Sequence, residues 1–220
     1  YQLQRPNLIN VGITGSNGKT TAKELIAAVL AQGEHPIFRN QGSINGRYGL
    51  SIAAGDLAPH HRLAVLELAA DSFDEIRDLA ALTQPQVGVI TSIDAVHFAT
   101  FGSIDAIADE AGRLLEALPP SGLAVLNADD PVLVEHAKRC PRPATWFSLR
   151  GAEAPLAQLL DDGGRVVLLE GDELVLQEES ARNVVARVGE VPATLGGAAR
   201  FNVANALAAI GAARELGWTV

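Results

Sequence analysis

The 220-residue chain is 48% hydrophobic and 20% charged, enough apolar material for a sizeable core in one large α/β domain, with or without a small subdomain. Its formal net charge of -9 argues against a nucleic-acid or anionic-membrane surface, although a local basic pocket can survive on an acidic protein. Cys140 is the one cysteine, so no intramolecular disulfide forms, and no apolar run approaches the roughly 18 uncharged residues of a membrane helix. These features predict a soluble protein of the reducing cytoplasm in which Cys140, beside Arg139 and without a supporting motif, is a bystander. The absence of Met at position 1 and of a polar tail after Trp218 predicts a domain excised from a longer chain.

Residues 8–13 form an apolar run expected to be a buried strand, and Leu25, Ile26, Val29 and Leu30 fall on one helical stripe. Between them stands Thr14-Gly15-Ser16-Asn17-Gly18-Lys19-Thr20-Thr21. Gly15 and Gly18 admit backbone conformations that a Cβ forbids, so successive N–H groups can converge on a phosphate at the helix start. Lys19 would supply positive charge to the β- and γ-phosphates, and the Thr20 hydroxyl a ligand for their Mg²⁺. The common G-x-x-x-x-G-K-[ST] pattern would place its first glycine at Ile13, so the turn is a shorter form, T-G-x-x-G-K-T-T. The bland alternative is a glycine-rich strand-to-helix connector.

Residues 35–39 predict a second strand, 40–46 a polar loop and 48–54 a short helix. Near-continuous apolar order predicts a doubly covered strand over 62–68, ending near Glu67. Residues 73–82 predict a helix, 86–93 another buried strand, and 94–101 a loop carrying His97. Ser103 is expected to cap a helix whose apolar positions run from Ile104 to Leu118, stopped by Pro119-Pro120, with a fifth strand over 122–126. Strands alternating with helices predict an α/β fold with a doubly wound, mostly parallel sheet. From 144 to 194 the segments are short, β-prone and divided by turns such as Asp162-Gly163-Gly164, which predicts a small antiparallel β-rich flank before a helix over 202–216.

Ligands of such sheets sit at the carboxyl ends of strands, where the glycine-rich turn, Glu67 and His97 fall together. A carboxylate in Leu66-Glu67-Leu68 is costly to bury unless it meets a cation, Mg²⁺ or a basic side chain. Asp94 competes with His97 as the site residue of its loop, and Asp129-Asp130-Pro131 reads as an ordinary helix start.

The Thr14–Thr21 run, Leu66-Glu67-Leu68, Val87-Gly88-Val89-Ile90-Thr91 followed by His97, Gly102-Ser103-Ile104, residues 124–131 and residues 201–209 together resemble the central ATP-binding domain of the Mur ligase superfamily. The motifs keep their order over nearly the whole chain. The resemblance implies one such domain over 1–220, with a P-loop core to 143, the β-rich flank to 196 and a returning helix. It also implies N- and C-terminal domains beyond these residues. Within the superfamily, Asn45 and Glu75-Ile76 resemble the enzymes that add D-alanyl-D-alanine to a UDP-sugar tripeptide, in cell-wall peptidoglycan synthesis. Arg200-Phe201-Asn202 looks more like cyanophycin synthetase, because peptidoglycan enzymes usually have His before the Asn.

The activity implied is ATP-dependent amide-bond formation through an acyl phosphate, joining a carboxylate-bearing substrate (a UDP-sugar peptide or an amino-acid polymer) to an amine. Lys19 and the turn would bind the phosphates, Thr21 would support the α-phosphate, and Thr20 and Glu67 would hold the first Mg²⁺. His97 is assigned to a second metal region, Asn202 to the adenine, and Asn45 to the nucleotide or metal neighbourhood. Ala111 stands where many members carry a carboxylated lysine, and Arg113 where an acidic residue is common. Glu110 or water would then substitute, the second metal site would be weak, or the chain would be a regulatory paralogue that binds nucleotide without fast ligation. A P-loop kinase is a further alternative, but nothing after the core resembles its arginine-rich lid.

Overall fold

Apolar runs that lack alternation become strands covered on both faces. In the computed structural model, which describes residues 3, 5–33, 35–42, 44–139, 143–151, 156–161, 164–178 and 181–218, these are β1 (Ile9–Thr14), β3 (Leu63–Glu67), β4 (Val87–Ile90) and β5 (Leu123–Asn127). They join β2 (Ile37–Arg39), β6 (Ala144–Ser148), β7 (Arg165–Glu170), β8 (Glu173–Glu178) and β9 (Ala181–Arg187) in one sheet of order β2-β3-β1-β4-β5-β6-β7-β8-β9. Cys140 and Asp162-Gly163 lie outside the described residues.

Pairing is parallel from β2 through β7 and antiparallel from β7 through β9. The expected α/β sheet is therefore present with an antiparallel edge. That edge is narrower than expected: β6 and β7 continue the parallel ladder, β6 beside β5 and β7 beside β6. Only β8 and β9 add hairpin fashion, and the expected flank is an extension of the same sheet.

Helices cover both faces. α1 (Lys19–Leu30) and α8 (Arg200–Glu215) share one core with Val11, Val65, Val89, Val125 and Val167. On the other face lie α2 (Arg47–Ala53), α3 (Glu75–Thr83), the short α4 (Phe98–Phe101), α5 (Ile104–Ala117) and α6 (Pro131–Ala137), around Leu66, Ile90 and Leu126. α7 (Leu156–Asp161) covers Val166 and Leu168.

The chain leaves β1 toward β2 over the α1 face, returns to β3, then crosses to β4 over the opposite face. Right-handed crossovers in opposite directions require that change of face, and it opens a crevice between the carboxyl ends of β1 and β4. Ser103 caps α5 by accepting from Ala106 N, as expected. α8 is buried almost all round, and Gly211 lets it approach the sheet, since a Cβ there would lie 3.0 Å from Val125 Cγ1. No helix among the described residues is long and apolar enough to cross a membrane.

Candidate functional site

The turn after β1 uses its glycines conformationally: Gly15 has φ 128° and Gly18 φ 84°. The end of β4 splints it. Ser16 N donates to Ser92 O (2.7 Å), Thr91 Oγ1 to Asn17 O (2.5 Å), Asn17 Nδ2 to Asp94 Oδ2 (2.7 Å) and Asp94 N to Ser16 Oγ (2.8 Å). Asp94 is thereby a brace for the turn. Lys19 curls back so that Nζ donates to Gly15 O (2.7 Å) and Ser16 O (3.1 Å). Burial lowers its pKa from the ordinary lysine value, while Glu67 and Asp71 oppose that shift.

Glu67, the last residue of β3, is 1% exposed. Asn45 Nδ2 donates to its Oε1 at 2.6 Å, whereas Oε2 is buried without a hydrogen-bond partner. Asn40 fixes the backbone beneath, with Glu67 N donating to Asn40 Oδ1 (3.0 Å) and Asn40 Nδ2 to Glu67 O (3.2 Å). A cleft of 490 Å³ brings together Lys19, Thr20, Asn45, Glu67, Asp71 and His97, with Ser16 to Thr21 along its wall. His97 starts α4 in the left-handed region (φ 54°), half-exposed, with Nε2 3.5 Å from Asp71 Oδ1.

Glu67, with one unpartnered oxygen, shares a cleft with Thr20, an oxygen set that suits a hard cation such as Mg²⁺, which takes one or two protein oxygens and completes its shell with phosphate and water. Among the described residues no group of three or more His, Cys, Asp or Glu is placed to hold a metal unaided. A cavity of 50 Å³ opens beside Lys19, His97, Glu110 and Ala111. Glu110 does not offer a free carboxylate there: its Oε2 accepts from Asp74 N (2.7 Å) and its Oε1 from Ile76 N (2.8 Å), anchoring the start of α3.

Behind the turn, a second cleft of 630 Å³ is lined by Gly18, Thr21, Asp94, Asn127, Phe201 and Asn205. Asn202 is not among its walls; its Nδ2 donates to Ala193 O (2.7 Å). Asn205, one turn later, faces the cleft with a buried, unpartnered Nδ2. The sequence signal for Asn205 is a polar side chain inside the apolar run Val203 to Ala209. Asp130 is the helix start expected: Oδ1 accepts from Val132 N and Leu133 N, both at 3.0 Å, while Oδ2 accepts from Ile93 N (2.5 Å).

A parallel α/β sheet with a lysine-bearing glycine turn at its switch point, and an acidic strand end facing that turn, defines a P-loop nucleotide-binding domain. The chain belongs to the Mur ligase middle domain family, whose match covers residues 13–213. It is 34% identical over 215 residues to the UDP-N-acetylmuramoyl-tripeptide–D-alanyl-D-alanine ligase of Synechocystis, covering 97% of this chain and 42% of that protein. With the Escherichia coli K12 ligase of the same name it shares 30% over 211 residues, 96% of this chain and 44% of that one. The crystal structure of MurF from Acinetobacter baumannii superposes with a TM-score of 0.75 at 25% identity, over 100% of this chain and 45% of the other. The chain thus spans less than half the length of these relatives.

Proposed function

We propose that the chain is the ATP-binding part of an ATP-dependent ligase that joins a UDP-sugar peptide carboxylate to D-alanyl-D-alanine in peptidoglycan precursor synthesis, working in the cytoplasm. The observation that carries the nucleotide reading is the meeting of Lys19, Thr20 and Glu67 at one strand-end cleft. Lys19 leaves the carbonyls of Gly15 and Ser16 to offset charge on the β- and γ-phosphates, and the turn amides orient the transferring group. Thr20 and Glu67 hold Mg²⁺, which when bound neutralises phosphate charge. Thr21 supports the α-phosphate, and the base occupies the second cleft against Asn205 and Phe201. A substrate carboxylate takes the γ-phosphoryl group to form an acyl phosphate, ADP leaves, and the amine displaces phosphate. The UDP-sugar and amine are held by domains outside this chain.

Calorimetric titration with ATP and Mg²⁺ tests the site. Binding is expected for the wild type, with a loss of about 100-fold or more in Lys19→Ala and a selective loss of the Mg²⁺-dependent part in Glu67→Gln. Wild-type protein that ignores ATP would sink the reading. Phosphate release dependent on both substrates is expected from the full-length protein, with little from this chain alone.

Ala111 and the engaged Glu110 favour a second reading, a relative that binds nucleotide to set conformation. Robust substrate-dependent phosphate release by the unaltered full-length protein rejects it, whereas release that appears only with Ala111→Lys supports it.

A further inference from the structure

Lys23, one turn beyond Lys19 and Thr20 on α1, is 0% exposed. A lysine is almost never buried so completely without a partner that repays its dehydration. Its Nζ donates to the carbonyls of Asn40 and Gly42, both at 2.7 Å, and lies 3.8 Å from Glu67 Oε2, the oxygen without a hydrogen bond. Glu24 Oε1 is 3.2 Å from the same nitrogen, but that carboxylate is half-exposed and its other oxygen pairs with Arg39 at 2.7 Å. Within 4.0 Å of Glu67, Lys23 is the cationic group found among the described residues. The same ammonium ties down the segment that delivers Asn45 to Glu67 Oε1.

Two consequences follow from one fixed charge. The carboxylate is held between two fixed groups, with Oε1 on Asn45 and Oε2 3.8 Å from Lys23 Nζ. Part of its negative charge is offset by that ammonium, which Glu24 shares at 3.2 Å, so a divalent ion arriving alone is repelled by Lys23 and by Lys19 of the cleft wall. The remaining acids of the cleft do not reverse this. Asp71 is strongly exposed and pairs with His97, and Glu75 Oε2 accepts from Asp71 N (2.6 Å) and Ser72 N (3.1 Å). Polyphosphate reverses the balance, because its charges neutralise Lys19 and supply the missing oxygen ligands.

Resting on the nucleotide reading above, we infer that Lys23 is a positioning residue that fixes Glu67 and makes the site refuse a divalent cation that comes without a nucleotide. Metal entry would thus be gated by an internal lysine beside the Glu67 carboxylate.

The test uses Mn²⁺, whose free-ion paramagnetic resonance signal falls on binding, titrated into the chain alone and then with β,γ-imido-ATP. Wild type and Lys23→Arg are expected to hold Mn²⁺ only when the analogue is present. Lys23→Met is expected to take Mn²⁺ without nucleotide about tenfold or more tightly than wild type, and to lose that gain when Glu67→Gln is added. A structural role alone would not create metal affinity. Wild-type uptake of Mn²⁺ alone that Glu67→Gln abolishes would overturn the inference, as would Lys23→Met no tighter than wild type. Should Lys23→Met fail to fold by circular dichroism, the wild-type and Glu67→Gln titrations decide. No Mn²⁺ uptake even with the analogue is a different failure, that of the nucleotide reading itself.

Discussion

A Cβ on Gly18 would lie 2.5 Å from Asn205 Oδ1, so the end of the glycine-rich turn rests directly on a buried amide of α8. Gly18 also has φ 84°, a conformation that L side chains avoid. The contact links the two clefts, since Asn205 lines the one behind the turn while Gly18 borders both. Gly18→Ala is therefore expected to cost about 1–3 kcal/mol of stability and at least about tenfold in nucleotide affinity. Asn205→Ala relieves the contact, so it is expected to weaken nucleotide with a smaller change in melting temperature. Calorimetry paired with thermal melts checks both; a Gly18→Ala chain that binds ATP like wild type would show that the turn tolerates movement away from α8.

Asn45 is the one hydrogen-bond donor from a side chain to the Glu67 carboxylate among the described residues. Removing it in Asn45→Ala leaves Oε1 free to rotate, at an expected cost of about 1–2 kcal/mol in the Mg²⁺-dependent part of nucleotide binding. Asn45→Asp places a second carboxylate at the same point and is expected to make Mg²⁺-free nucleotide binding worse than alanine does. Titrations with ADP in Mg²⁺ and in chelator separate the two effects, and an equal loss under both conditions would count against the metal assignment.

Glu215 ends α8 beneath the sheet, where Thr145 Oγ1 donates to it and Arg165 lies 3.0 Å from Oε2. Burial raises its pKa above the usual 4.5, with the Thr145 hydrogen bond and the two arginines, Arg165 and Arg214, opposing. The folded protein consequently holds more protons than the unfolded chain between 4.5 and the raised value, and the contribution of this group to stability grows as pH falls through that window. The melting-temperature difference between wild type and Glu215→Gln is expected to shift in favour of wild type from pH 7 to pH 5. A shift the other way would mean that the arginines outweigh burial.

The glycine-rich turn itself was readable in sequence because its physics is local: two glycines, a lysine and a threonine between a strand and a helix. The burial of Glu67 at a strand end was readable because its strand is an almost continuous apolar run. Lys23 was not, since a helical lysine ordinarily belongs to a solvated face, and only the distant carbonyls of Asn40 and Gly42 show otherwise. Asn205 stands out only as a polar residue in the apolar run of α8, which is buried on most sides, so the sequence pattern does not show which way it faces. The segment 144–170 reads as hairpins on length alone; its parallel pairing depends on β5, and α7 at six residues is too short to display a period.

Gly112 in α5 faces the His136 ring of α6 closely enough that an added Cβ would overlap its Nε2. Helix propensity alone predicts that Gly112→Ala stabilises by about 1 kcal/mol, since alanine is the better helix residue at an interior position. Packing predicts the opposite. His136 is buried, its Nδ1 is 3.4 Å from Asp109 Oδ1, and Asp109 is also 3.3 Å from Arg139, so the ring cannot swing away without breaking that arrangement. Overpacking of this kind costs about 1–3 kcal/mol, which exceeds the propensity gain at most of its range. Gly112→Ala is expected to lower the melting temperature, and the double variant with His136→Ala to recover most of the loss, because truncating the ring removes the obstacle and leaves the alanine its helical advantage. Nucleotide affinity is expected to stay at the wild-type value in both, since neither residue lines the two clefts beside the glycine-rich turn. A single variant more stable than wild type would show that α6 can shift outward at little cost.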